Sequence, residues 1–335
     1  MTATAPLRLG LDLGGTKMEA VVVELGGDAP RELSRVRVPT EREGGYEHVL
    51  ERAASTVRRA ARDAGLADLP PVGVGMPGSV TTRRAHGSRA DAPLVKNSNT
   101  TCLNGRPFRA DLTRELGGAA IAFSNDANCF ALAEATWGAA RGAEVTFGVI
   151  LGTGVGGGLV LARGGAPPAA WDGHHGIAGE WGHVVLEPRD GPPCYCGKRG
   201  CVETLVSGPA IHANYTRRGG VAVDATDIAA RARAGEALAQ AVLAEVMDHF
   251  GRALATVIDV LDPDVIVLGG GVSNMPELYD AGREAAARWV FNDELTTPIR
   301  RHALGDSAGV LGAALLPGLQ AAHGASHALS GVASP

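Results

Sequence analysis

One pattern constrains this chain's fold more than any other, and it occurs twice: an apolar strand, a glycine turn and a returning apolar strand. The first copy runs from Leu7 to Leu13 as Leu-Arg-Leu-Gly-Leu-Asp-Leu, turns at Gly14-Gly15 and returns from Met18 to Leu25. The second runs from Thr146 to Leu151, passes through Gly152-Thr153-Gly154-Val155-Gly156-Gly157-Gly158 and returns from Leu159 to Ala162. Apolar runs joined by short glycine-rich links read as hairpins. Two copies of one hairpin predict two similar domains facing a cleft. The length of 335 residues suits two domains of α/β type.

Between and after the hairpins the pattern alternates. A third strand is expected near 35–39, a helix over 46–64 that stops at Gly65, and a short buried strand over 72–76 that ends in Pro77-Gly78-Ser79. Residues 80–110 read as polar loop, 119–123 as a strand and 127–137 as a helix capped by Ser124-Asn125-Asp126. Helices are expected near 207–218, 225–234 and 236–261, then a strand at 265–268, a helix over 276–289 and a last one near 306–316. The first domain is expected to cover 1–123 plus the helix at about 305–318. The larger second domain takes 124–304, with a metal loop over 171–203, and 319–335 is expected to be a mobile tail.

Composition removes several function classes. Hydrophobic residues make up 45% of the chain, which excludes wholesale disorder. A net charge of −5 and the lack of a basic stripe argue against nucleic-acid binding. The start of the chain lacks the blocks of a signal peptide, and no apolar run is long enough to span a bilayer, so a cytoplasmic protein without membrane contact is expected. Three of the five cysteines, Cys194, Cys196 and Cys201, fall within eight residues. In a reducing compartment that clustering points to a metal rather than to disulfides.

Five constellations carry chemistry. In Asp12-Leu13-Gly14-Gly15-Thr16-Lys17, a turn poor in side chains lets backbone N–H groups face a phosphate, Thr16 adds a hydroxyl, and Asp12 can reach a hydrated Mg²⁺. An ordinary glycine hairpin is the alternative. Gly152 to Gly158 repeats the arrangement and reads as a second phosphate cradle around Gly152, Thr153 and Gly154. Gly269-Gly270-Gly271 follows a buried strand and suits the passage of backbone under a flat base, or simply a tight strand-to-helix turn. In Asn125-Asp126 the carboxylate can cap a helix and also accept a proton from a substrate hydroxyl. Finally, Cys194, Cys196 and Cys201 with His183 form the three-Cys-one-His set that closes a tetrahedron around structural Zn²⁺, with His174 and His175 as competitors for the fourth place. Glu180 and Glu203 flank this loop, and a pinned pair of acceptors suits a polyhydroxylated ligand. Cys102 and Cys129 read as small buried side chains.

The order of these motifs resembles the ROK family of sugar kinases and repressors. The likeness runs from about residue 7 to 316, and Glu180-x-x-His183 and Cys194-x-Cys196-x4-Cys201-x-Glu203 are its most specific parts. Val95-Lys96-Asn97-Ser98-Asn99, Leu103-Asn104-Gly105 and Pro193-Cys194-Tyr195-Cys196 resemble the bacterial ROK-type fructokinases, or manno(fructo)kinases. The resemblance implies an actin/hexokinase-like (ribonuclease H-like) fold and ATP-dependent phosphorylation of a hexose, fructose first, at its 6-hydroxyl. It implies Asp126 as catalytic base. Gly78, Ser79, Asn125, Glu180, His183 and Glu203 would hold the sugar. Asp12, Gly14, Gly15, Thr16, Lys17, Gly152, Thr153, Gly154, Gly270 and Gly271 would handle Mg²⁺ and ATP, and Zn²⁺ would sit on His183, Cys194, Cys196 and Cys201. It also implies a homodimer. Within kinases, glucokinase is the rival reading. A ROK repressor needs a helix-turn-helix segment ahead of Asp12, and the eleven residues there are too few. A non-catalytic sugar-binding module is the third possibility.

Overall fold

In a computed structural model, residues 5–80 and 92–329 are described. They form two compact units, one of Met1–Ala133, Ala169–Ala178 and Ser307–Pro335, the other of Glu134–Pro168 and Gly179–Asp306. Part of the loop expected over 80–110 (residues 81–91) lies outside the described residues. Of the tail expected from 319 onward, residues up to Leu329 are helical, and 330–335 are outside the description.

The first unit is built on strands β1 (Leu7–Leu13), β2 (Lys17–Glu24), β3 (Arg31–Pro39), β4 (Val72–Met76) and β5 (Ile121–Asn125), in the order β3-β2-β1-β4-β5. The first three run antiparallel as a meander, and β4 and β5 join parallel to β1. This is the strand order of the ribonuclease H-like fold. Alternation along β2 sends Ala20 and Val22 to one face and Val21 and Val23 to the other. The first face packs on helix α1 (Gly45–Asp63) through Val49, Ala53 and Val57, whose spacing makes a helical stripe. The second packs on Val310 and Ala314 of a late helix, Ala308–Leu329. That helix lies close because its contact residues are small. A Cβ on Gly312 would overlap the carbonyl oxygen of Cys129. A helix missing from the sequence reading, α2 (Phe108–Glu115), buries Phe108 and Leu112 against the α1 side of the sheet.

The segment after β5 is α3 (Asp126–Trp137), which begins in the first unit and ends in the second. The second unit repeats the opening motif. Hairpin β6 (Val145–Leu151) and β7 (Val155–Leu161) is antiparallel, and β8 (Val265–Gly269) and β9 (Ile299–Arg301) add in parallel, in the order β7-β6-β8-β9. Its core joins Phe147, Val149 and Leu151 to helices α4 (Glu203–Val206), α5 (Gly208–Arg217), α6 (Ala225–Arg233) and α7 (Ala237–Leu261). The helix expected over 276–289 is instead one short 3₁₀ turn, Pro276–Leu278, followed by α8 (Ala281–Ala287). The last helix is then α9 (Ala308–Leu329). No described helix is long and apolar enough to cross a membrane.

Candidate functional site

The expected site residues divide between the units. In the first, Asp12 ends the parallel register, opposite Glu19 on β2 and Gly75 on β4. The Gly14–Thr16 turn is closed by Gly14 N–H donating to Lys17 O at 2.9 Å. The start of α3 lies beyond the same end of the sheet, since β5 is parallel to β4, with Asn125 opposite Met76. The ends of parallel strands are where open α/β sheets place their ligands. Burial pushes the Asp12 carboxyl up to about 7, and the negative charges of Asp126 and Glu19 add to that, against the opposing pull of Lys17 and Arg37. Two carboxyl groups near enough to repel, Asp12 and Asp126, are suited to hold a divalent cation and to accept a proton.

Asp126 opens α3. Its Oδ1 accepts the Ala127 N–H at 2.9 Å, and so does Asn125 Oδ1, also at 2.9 Å. The helix cap is therefore shared by both side chains. Burial raises the Asp126 carboxyl above the ordinary value, and the backbone donors at the helix start pull against it. Asn125 Nδ2 donates to Gly78 O at 3.1 Å, which ties the end of β5 to the turn after β4. Gly78 holds φ 83° and faces the Ser98 backbone closely enough to exclude a Cβ.

In the second unit, Gly152 N–H donates to Gly154 O at 2.9 Å, and Glu203 Oε2 accepts the Val155 N–H at 2.9 Å. The carboxylate of α4 is thus fastened to the turn between β6 and β7. Gly270, at φ 81°, abuts the backbone of Leu151, so the late glycine cluster lies beside the same turn. The glycines that follow lie in the returning strand, which starts earlier than the Leu159 expected. Gly156, Gly157 and Gly158 belong to β7. Gly157 is bare because Trp181 and the Gly179 backbone press against it. Trp181 is buried, donates its indole N–H to Gly156 O at 3.1 Å and meets the Phe147 ring edge-on at 6.0 Å. That anchor fixes the 3₁₀ turn Trp181–His183, which Glu180 precedes and His183 ends.

His183, Cys194, Cys196 and Cys201 bring one ligand atom each within 4.8 Å of one another. Cys194 Sγ lies 3.6 Å from His183 Nδ1, and Cys196 Sγ lies 3.6 Å from Cys201 Sγ. A tetrahedron with bonds of about 2.0–2.3 Å to nitrogen and sulfur has edges of roughly 3.5–3.8 Å. The donor set and its spacing therefore fit Zn²⁺. The histidine in the cluster is His183, while His174 and His175 belong to the first unit. Without a cation, burial and neighbouring thiols hold Cys201 neutral, up to about 12. The turn Cys194–Lys198 is closed by Cys194 N–H donating to Lys198 O at 2.8 Å.

Tyr195, between two of the thiols, is a site residue that sequence spacing did not single out. Its hydroxyl is 2.9 Å from His183 Nε2, the ring nitrogen that faces away from the Cys194 thiol. Burial raises the phenol, and the charges of Glu203 and Glu180 raise it further. Both carboxylates thus lie within electrostatic reach of the Tyr195 hydroxyl that meets the imidazole.

Two units that share a strand–turn–strand opening, with carboxylates at the strand ends and a Cys₃His cluster, define an actin/hexokinase-like protein. The chain belongs to the ROK family, whose model matches residues 8–318. Among its relatives is an N-acetyl-D-glucosamine kinase of Pectobacterium atrosepticum, 35% identical over 320 residues that span 92% of this chain and 97% of the relative. Among solved structures, a ROK hexokinase from Thermus thermophilus is 37% identical with a TM-score of 0.78, covering 95% of this chain and 99% of its own. A ROK family glucokinase from Streptomyces griseus, solved with glucose and AMPPNP, is 29% identical with a TM-score of 0.72 over 92% of this chain and 98% of its own.

Proposed function

We propose that the protein transfers the γ-phosphoryl group of ATP to the 6-hydroxyl of a hexose, and that its sugar is a 2-acetamido hexose such as N-acetylglucosamine. The observation that carries the transfer is the pairing of Asp12 and Asp126 at the strand ends of the first unit, with both carboxyl groups raised by burial. Asp126 takes the proton from the sugar hydroxyl as that oxygen bonds to phosphorus and the bond to the leaving ADP oxygen breaks. Raising its pKa brings the base nearer the working pH, where general-base help is most effective. Asp12 with the Gly14–Thr16 turn, and the Gly152–Gly154 and Gly270–Gly271 backbone, hold the nucleotide. Mg²⁺ near Asp12 would neutralise charge on the phosphates. Asn125, Gly78, Ser79, Glu180 and Glu203 orient the sugar, and His183 joins them when its Nε2 exchanges the Tyr195 hydroxyl for one of the sugar's, so the chemistry is mostly positioning.

Zn²⁺ on His183, Cys194, Cys196 and Cys201 is structural in this reading. Four protein ligands leave no open position for Lewis-acid work. Three thiols reserved for a metal suit the reducing cytoplasm.

The preference for an amino sugar rests on the kinase from Pectobacterium atrosepticum. Fructose, favoured by local sequence likeness, and glucose are the competing sugars. A panel of N-acetylglucosamine, glucose, mannose and fructose with Mg·ATP, scored by kcat/KM, tests the reading. The highest value for N-acetylglucosamine is expected. A higher value for fructose restores the fructokinase reading, and no turnover of any sugar refutes the kinase.

A further inference from the structure

The first unit contains a cavity of about 320 Å³ that the sequence did not foretell, lined by Met76, Ser79, Arg109, Phe123, Asn125 and Asp172 among others. Its floor is apolar: Met76 and Phe123 are 1% and 7% exposed. Ser79 is 8% exposed, and its hydroxyl is buried without a hydrogen-bond partner among the described residues. A hydroxyl left unpaired in such a place destabilises the protein unless a ligand or water satisfies it. Asp172 lines the same cavity. Ser124 Oγ and Asn128 Nδ2 both donate to its Oδ1, at 2.6 and 2.8 Å, so the carboxylate is held in place through one of its two acceptor oxygens. Asn125 links this cavity to the residues assigned to the sugar.

The wall thus offers a fixed carboxylate acceptor, an unpaired hydroxyl that can donate, and an apolar floor beneath them. A secondary amide bearing a methyl group needs those three things: an acceptor for N–H, a donor for C=O, and apolar contact for CH₃. A hydroxyl in the same position uses one of the three. We propose that this cavity is the subsite for the acetamido group of the sugar, with Asp172 accepting from the amide N–H, Ser79 donating to the carbonyl oxygen, and Phe123 and Met76 packing on the methyl. Asp172 is then a specificity residue. The inference deepens the sugar-kinase reading and rests on it for the identity of the ligand.

Binding measured by calorimetry separates the two. The probes are N-acetylglucosamine, glucose and glucosamine, with the intact wild-type protein and the variants Asp172→Asn and Ser79→Ala. Asp172→Asn keeps an oxygen for Ser124 and Asn128 but replaces the second acceptor oxygen with a donor. Ser79→Ala removes a hydroxyl that no described residue uses. Wild type is expected to bind N-acetylglucosamine at least tenfold more tightly than glucose, and each variant to cut that ratio about tenfold or more. No wild-type preference, or a preference that survives both substitutions, overturns the proposal. Tighter binding of glucosamine than of N-acetylglucosamine also overturns it, because Asp172 would then be reading an ammonium. A wild-type preference lost in the variants, in a protein that makes no sugar phosphate, leaves the subsite standing and refutes the kinase.

Discussion

Replacing Asp12 with Asn should make the protein more stable and less active, and the stability gain should depend on pH. The folded state raises this carboxyl from 3.8 to about 7, through burial and the charges of Asp126 and Glu19. The sign follows from linkage. Between those two values the unfolded chain gives up its proton while the folded protein keeps it, so stability falls as pH rises through that window and the loss is complete above it. A tenfold change in proton affinity is worth about 1.4 kcal/mol, so the charged carboxylate destabilises the folded state by at most about 4 kcal/mol at pH 8 and by about 1–2 kcal/mol at pH 5. Asn has the shape and lacks the charge. Gly309 in α9 leaves room, since a Cβ there would stand 3.1 Å from Asp12 Oδ2. Thermal or urea unfolding of both proteins, free of added Mg²⁺ and nucleotide, at pH 5, 6, 7 and 8 measures the difference. The gain for Asp12→Asn should grow with pH and level off near pH 8, and phosphoryl transfer should collapse in the same variant. A gain that is flat with pH, or a variant less stable at pH 8, would refute the burial argument for Asp12.

Further tests follow from other parts of the structure. Asp126→Asn should lower kcat by about 10²–10⁴-fold in steady-state assays while circular dichroism stays that of wild type; unchanged kcat removes Asp126 as the base. Gly312→Ala should destabilise the protein by about 1–3 kcal/mol in thermal melts, because the new methyl must displace α9 from Cys129; a neutral result would mean the helix shifts freely. Cys201→Ser should abolish stoichiometric zinc by elemental analysis and speed amide exchange over residues 179–203; full zinc content in that variant would contradict the ligand set.

Much of the fold was legible because hydrophobic pattern and local turn chemistry agreed. β1, β4 and β6 span nearly the expected residues, since each is a compact apolar run bounded by glycine or proline signals. α2 was missed for the opposite reason. Its two buried anchors, Phe108 and Leu112, sit among charged residues, so composition masked the periodicity. β9 reads Ile-Arg-Arg, and only its place beside β8 makes it a strand. The metal cluster was legible because its thiols are close in sequence. Tyr195 and Asp172 were not, because their partners, His183, Ser124 and Asn128, reach them only through the folded chain. The start of β7 was hidden for a related reason: nothing local distinguishes a turn glycine from a strand glycine that makes room for Trp181.

The central claim is phosphoryl transfer to a sugar hydroxyl with Asp126 as the base. Phosphorus NMR of a reaction holding the protein, Mg·ATP and N-acetylglucosamine tests it most directly. The account predicts a sugar 6-phosphate resonance growing in step with ADP in wild type and nearly absent in Asp126→Asn. ADP accompanied by inorganic phosphate alone, or a sugar phosphate formed equally fast by the variant, would contradict it.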